Sequence, residues 1–207
     1  MLPSVITVDK QGRSSLDLVT SDFLNRRRVY LVGEINDTAA MEVVMQLDYL
    51  AASSDGEITL VINSPGGSVT AGLAIIDAME RAGAVSTLVT GMAASMAAVI
   101  AACGVKGRRF VTPMAEVMIH QPLGGISGQA TEIENTARRI LGIKRRMSAL
   151  LAQRTGQTER KLTADCERDH YLSAEEAVGY GLADEVLRGR AGDKGTSASS
   201  TAYSAGK

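Results

Sequence analysis

Along most of the chain, short runs of β-branched and apolar residues alternate with longer stretches whose apolar positions recur every three or four residues. "RVYLVGEI" (28–35), "ITLVI" (58–62), "VSTLVT" (85–90), "RRFVT" (108–112) and "VMIH" (117–120) read as strands. Between them, residues 37–53 read as a helix capped by Asp37 or Thr38, with an apolar face at Met41, Val44, Leu47 and Leu50. A second helix spans 69–81 and stops at Gly83; a third follows a turn at Gly91 and ends at Gly104. Several of the strands are apolar on both faces, which predicts an α/β domain with a largely parallel sheet.

The pattern then changes. Residues 130–155 read as one long helix, with Ile133, Ala137, Ile140, Met147 and Leu151 tracking one side and Glu134 four residues before Arg138. A further helix starts at Ser173, whose capping box is completed by Glu176, and stops at Gly181. Beyond Leu187 the periodicity is lost in a Gly-, Ser-, Thr- and Ala-rich stretch, read as a disordered tail over 188–207, so residues 1–187 are expected to form a single domain.

Residues 82–105 carry no charge, a length that raises the question of a membrane span. The composition answers against one: the run is mostly alanine, with Ser86, Thr87, Thr90 and Ser95 inside it, and is poor in the Leu, Ile and Phe that drive insertion. A buried strand, a turn and a small-residue helix fit it better. The start of the chain breaks the pattern of an export signal with Pro3, Asp9 and Lys10. Two cysteines, Cys103 and Cys166, make neither a disulfide framework nor a metal-type pair, so a reducing, cytoplasmic setting is expected. With 22 basic against 23 acidic residues, charge gives no reason to look for nucleic acid or a lipid surface. The basic cluster Arg138, Arg139, Lys144, Arg145 and Arg146 has no interleaved aromatics and reads as a solvated face or subunit contact.

Only two histidines are available as a general base near neutral pH, His120 and His170. Alone, each is more often a surface or satisfied residue than a catalyst. His120 ends a strand and opens onto the loop "QPLGG", a usual place for active-site residues in α/β sheets. Ser95 follows the Gly91 turn in the first turn of an alanine-rich helix, whose N-terminal dipole favours developing negative charge. A serine becomes a nucleophile when an imidazole takes its proton and a carboxylate fixes the imidazole tautomer. "NSPGG" adds two successive glycines, which let backbone N–H groups approach a carbonyl oxygen, although most such sequences are only turns.

The blocks "INSPGGSVTAGLAIIDAM", "GMAASMAAVIAACGVKGRRF", "VMIHQPLGGISGQATEIE" and "CERDHYLSAEEAVGYGLADEV" closely resemble the ClpP family, the proteolytic subunits of bacterial Clp proteases, in order over about 2–187. The resemblance implies the ClpP/crotonase fold: a spiral of βαβ units as head, and a helix-plus-strand handle at 124–155. It implies a Ser-His-Asp peptidase with Ser95 as nucleophile, His120 as base and Asp169 orienting the imidazole. The backbone N–H groups of Gly67 and Met96 would form the oxyanion hole, and Gly66, Gly124 and Gly125 would line up substrate. Glu167 and Arg168 match the pair that links two rings. The family stacks two seven-membered rings around a chamber, gated by an N-terminal segment (here within 1–20). A partner Clp-family AAA+ unfoldase feeds it unfolded polypeptides and uses the ATP, so no cofactor is expected in this subunit.

Departures fall on the docking pocket for that ATPase. Thr59 and Val61 stand where the family usually has tyrosines, and Arg81 where it commonly has phenylalanine; Ala97 replaces a common glycine. Three other readings stay open. A non-catalytic or partner-dependent ring subunit, mixed with an active paralogue, would fit the altered pocket. A crotonase-type acyl-CoA enzyme would share the fold but not need the serine, histidine and aspartate together. A metal site would have to draw on both histidines and Asp169 at poor spacing.

Overall fold

The computed structural model describes residues 4–9, 12–121 and 129–188. The chain opens with an antiparallel hairpin, β1 (Ser4–Asp9) and β2 (Gly12–Asp17), and a short helix α1 (Leu18–Arg26), none of which the periodicity announces. Strands and helices then alternate: β3 (Arg28–Val32), α2 (Asp37–Ser53), β4 (Ile58–Ser64), α3 (Val69–Ala82), β5 (Val85–Ala94) and α4 (Met96–Ala102). β6 (Arg109–Val111) and β7 (Glu116–Ile119) lead to the long helix α5 (Ala130–Thr155). The chain closes with α6 (Glu159–Asp165), β8 (His170–Leu172), α7 (Ala174–Tyr180) and β9 (Glu185–Val186).

The main sheet runs β3-β4-β5-β6-β9, all neighbours parallel, with β7 parallel to the second half of β5 and β8 antiparallel to β7. This is the mixed α/β, mostly parallel arrangement that the strand and helix pattern predicts. Ile58, Leu60 and Ile62 of β4 pack with Ile75 of α3 and Leu47 and Leu50 of α2 in one continuous core. No helix of the described residues is long and apolar enough to cross a membrane.

Several local expectations need correction. The N-cap of α2 is Asn36, whose side chain accepts the Ala39 N–H at 2.9 Å. The buried face of α2 is Ala40, Val43, Leu47 and Leu50, while Met41 is 56% exposed, because the small Ala40 turns inward. Strand β3 stops at Val32, before Gly33 at φ +84°, and Ile35 forms only an isolated bridge to Gly67. Gly91 is not the turn before Ser95. Ile62 pairs with Val89 but Ser64 with Ala93, so β5 bulges by two residues around Gly91 (φ +74°) and runs on to Ala94. The bulge lets β5 exchange neighbours: Thr87–Val89 pair with β6, Met92–Ala94 with β7. Of the apolar track on α5, only Met147 and Leu151 are buried, and Ile133 is 40% exposed.

Arg109 ties the far end of the fold together. It is 4% exposed, yet its guanidinium pairs with Asp184 at 2.5 Å and donates to the carbonyls of Arg154 and Gly181 at 2.9 Å and of Ala102 at 3.4 Å. Those carbonyls belong to the C-terminal ends of α5, α7 and α4, where a cation opposes the helix dipoles.

Candidate active site

Ser95 sits between β5 and α4 as the residue that caps the helix without using its side chain to do so. Its backbone is left-handed, φ 56° and ψ −122°, one of two positive-φ non-glycine residues described. Such a conformation costs on the order of 1–3 kcal/mol and persists only where neighbours enforce it. Here the enforcing bonds are in the sheet: the Ser95 N–H donates to the Met118 carbonyl at 2.8 Å, continuing the β5–β7 pairing past Ala94. The hydroxyl is thereby freed from capping and turned toward β7.

His120 follows directly on β7, with its side chain 14% exposed. Its Nε2 lies 2.7 Å from Ser95 Oγ and its Nδ1 3.1 Å from Asp169 Oδ1. The residue after it is held on two sides: the Gln121 N–H donates to the Cys166 carbonyl at 2.8 Å, and Lys144 Nζ on α5 donates to Gln121 Oε1 at 2.7 Å. Neither bond is announced by any sequence signal, since each joins segments distant in the chain. Asp169, 56% exposed, ends the turn after α6 just before β8. Glu167 and Arg168 on the same turn are exposed and make no ion pair among the described residues. His170 goes elsewhere: its ring lies 6.0 Å from that of Tyr180, so the two histidines do not converge. Among the described residues no group of three His, Cys, Asp or Glu is arranged to hold a metal.

The glycines of "NSPGG" are pressed against the serine turn. A Cβ on Gly66 (φ +94°) would lie 2.6 Å from the Ala94 carbonyl oxygen, 2.8 Å from Ser95 Cβ and 3.1 Å from the Met96 nitrogen. A Cβ on Gly67 (φ +149°) would meet the Ile35 carbonyl oxygen at 2.3 Å. The Gly66 carbonyl accepts the Ile35 N–H at 2.8 Å and the Ile35 carbonyl accepts the Ser68 N–H at 2.7 Å, a parallel bridge that fixes the loop. The N–H groups of Gly67 and Met96 have no acceptor among the described residues. The Met96 side chain seats on α3 where Gly72 lacks a Cβ, and Ala97 beside it is fully buried. Gly124 and Gly125, with most of the expected handle strand, lie outside the described residues, as does the tail from residue 189 on.

Beside Ser95 and His120 opens a cleft of about 40 Å³ walled by Val69, Val99, Ile119, Met147 and Leu151. Met147 and Leu151 were legible as the apolar side of a helix, but their arrival at the serine was not. Cys103 and Cys166 are both buried, and burial pushes each thiol up to about 11, so neither competes with Ser95 as a nucleophile at neutral pH. At the positions that depart from the family's docking pocket, Val61 is buried, Thr59 Oγ1 accepts from Ser86 Oγ at 3.1 Å, and Arg81 pairs with Asp48 at 3.1 Å.

A serine on an enforced left-handed turn, an imidazole at 2.7 Å and a carboxylate behind it can transfer a proton and orient the carrier. The family model of Clp protease matches residues 10–190. The chain belongs to the Clp protease family. Membership makes it a ClpP-type protease and implies oligomeric assembly and work with Clp ATPases in general. Edge strand β3 exposes Tyr30 and Val32, and α2 exposes Met41, Met45 and Tyr49.

Proposed function

We propose that this protein is a serine endopeptidase that cleaves unfolded polypeptides inside a chamber of two stacked seven-membered rings, fed by a Clp-family ATPase. The observation that carries the reading is the chain of contacts from Ser95 Oγ through His120 Nε2 and Nδ1 to Asp169 Oδ1, at 2.7 and 3.1 Å.

Ser95 Oγ attacks the peptide carbonyl while His120 Nε2 takes its proton, and Asp169 holds the proton on Nδ1 and stabilises the imidazolium. The carbonyl oxygen gains negative charge and is met by the N–H groups of Gly67 and Met96, which are left without acceptors of their own among the described residues. His120 returns the proton to the leaving amine. Water then attacks the acyl-serine with His120 again taking the proton, the acyl–Oγ bond breaks to release the new C-terminus, and His120 returns the proton to Ser95 Oγ. The apolar cleft beside Ser95 takes the side chain that precedes the cut bond.

A second reading has one observation in its favour. Thr59 and Arg81 hydrogen-bond within the chain and bring no aromatic ring, although Thr59 shares a groove with Leu88, Phe110 and Leu187, so the ATPase meets a less aromatic surface here or is engaged through a paralogue in a mixed ring.

The deciding experiment is treatment of the native protein with a fluorophosphonate probe, mapping of the modified residue by mass spectrometry, and native mass of the same sample. Labelling confined to Ser95 in a ring-sized assembly, absent from Ser95→Ala, is the expected result. Equal labelling of the two proteins, or none, sinks the self-sufficient peptidase.

A further inference from the structure

Ser64 closes β4 and is a polar residue only 1% exposed. Its Oγ accepts the Gly66 N–H at 3.1 Å. The loop that follows has few donors to place. Pro65 has none, Gly66 gives its own to Ser64, and Ser68 gives its own to the Ile35 carbonyl at 2.7 Å. Gly67 is the donor left over, with no acceptor among the described residues.

The direction of that donor follows from the peptide plane. The Gly66 carbonyl is bonded to the Ile35 N–H at 2.8 Å, and the C=O and N–H of one trans peptide point opposite ways. The Gly67 N–H therefore faces away from Ile35, to the side of β4 where β5 and Ser95 lie. A Gly-Gly pair resists rotation of these planes poorly, because neither residue has a Cβ to restrict it. Two bonds do the restricting: Ile35 holds the plane after Gly66, and Ser64 holds the plane before it.

We infer that Ser64 is a positioning residue, whose hydroxyl fixes the Gly66 N–H and so keeps the Gly67 N–H aimed at the oxyanion of the reacting carbonyl. The inference rests on the peptidase reading above. It assigns to Ser64 an effect on the transition state without contact with substrate.

The test measures kcat and KM for a fluorogenic peptide, inhibition by a peptide aldehyde of the same sequence, and competition by the matching product peptide, all on the full chain in its native assembly. The aldehyde forms a hemiacetal with an oxygen in the oxyanion position, whereas the product peptide reports ground-state binding. Ser64→Ala is expected to lower kcat about tenfold and weaken the aldehyde about tenfold, with KM and product affinity within about twofold. Ser64→Cys keeps the volume with only a weak acceptor and is expected to follow it, should the alanine variant fold poorly; Ser64→Thr keeps the hydroxyl and retains activity. Unchanged kcat and aldehyde affinity in the Ala and Cys variants overturns the inference. So does a parallel loss of product affinity, which marks a packing role. A wild-type protein that neither hydrolyses peptides nor reacts with a fluorophosphonate overturns the peptidase reading itself, and this inference with it.

Discussion

Ile119 and His170 stand opposite each other in the antiparallel ladder of β7 and β8. One step further along the same register brings His120 opposite Asp169, and residues so placed have Cβ atoms about 4.5–5.5 Å apart on one face. The 3.1 Å contact between Nδ1 and Oδ1 is thus a product of strand pairing. β7 also receives the Ser95 N–H at Met118, so one four-residue strand sets the serine against the imidazole and the imidazole against the carboxylate.

Asp169→Asn tests this geometry against chemistry. The amide still fits beside β7 but favours the wrong imidazole tautomer, and peptide hydrolysis is expected to fall about 10⁴-fold with the fold intact. A stopped assay on a fluorogenic peptide, with circular dichroism as the check on folding, measures it; a loss under tenfold would remove Asp169 from the proposed role.

The cleft walled by Val69, Val99, Met147 and Leu151 offers apolar contacts and no ion partner. Peptides with Leu or Met before the cut bond are therefore expected to have kcat/KM at least about tenfold above those with Asp or Lys there. Met147→Ala enlarges the cleft and shifts the preference toward aromatic side chains. Equal rates across the peptide series would contradict the assignment.

Two glycine replacements should act in opposite directions. Gly67→Ala drives a Cβ against the Ile35 carbonyl oxygen at a positive φ and is expected to abolish Ser95 labelling and lower stability. Gly142→Ala, with nothing near its Cβ inside helix α5, should raise stability by about 0.5–1 kcal/mol and leave labelling alone. Thermal unfolding and probe labelling of the two variants side by side give the answer.

Burial raises the Asp184 carboxyl, but the hydrogen bonds and charge of Arg109, with the Gly107 N–H, outweigh it and hold the group below its ordinary 3.8. A depressed carboxyl contributes stability that is present above the unfolded value and lost as pH falls through the folded one. Wild-type stability should accordingly decline as pH drops below about 4. Asp184→Asn leaves the buried Arg109 charge unpaired, costing roughly 3 kcal/mol at neutral pH. Its disadvantage should shrink in acid, and urea titrations from pH 7 to 2 would show the two curves converging.

Much of the framework was legible in the chain. Helix α5 runs over the residues its spacing indicates, and α7 starts and stops at Ser173 and Gly181, because caps and periodicity are local and act through bonds a few residues long. The short elements escaped notice for the converse reason. β8 and β9 have three and two residues, too few for a period, and exist because a neighbouring strand offers its edge.

The same division runs through the site. Sequence by itself determined which residue types are present: a serine in an uncharged alanine-rich stretch, a histidine after an apolar strand, an aspartate before a capped helix, and a glycine pair. Tertiary structure alone decided that Gly91 is a bulge while Ser95 makes the turn, that α2 buries Ala40 in place of Met41, and that His170 turns to Tyr180. These outcomes depend on which strand edge lies beside β5 and which side chains fill the space over the sheet. Such choices are settled by hydrogen bonds and packing between segments far apart in the chain, and no local window contains both partners.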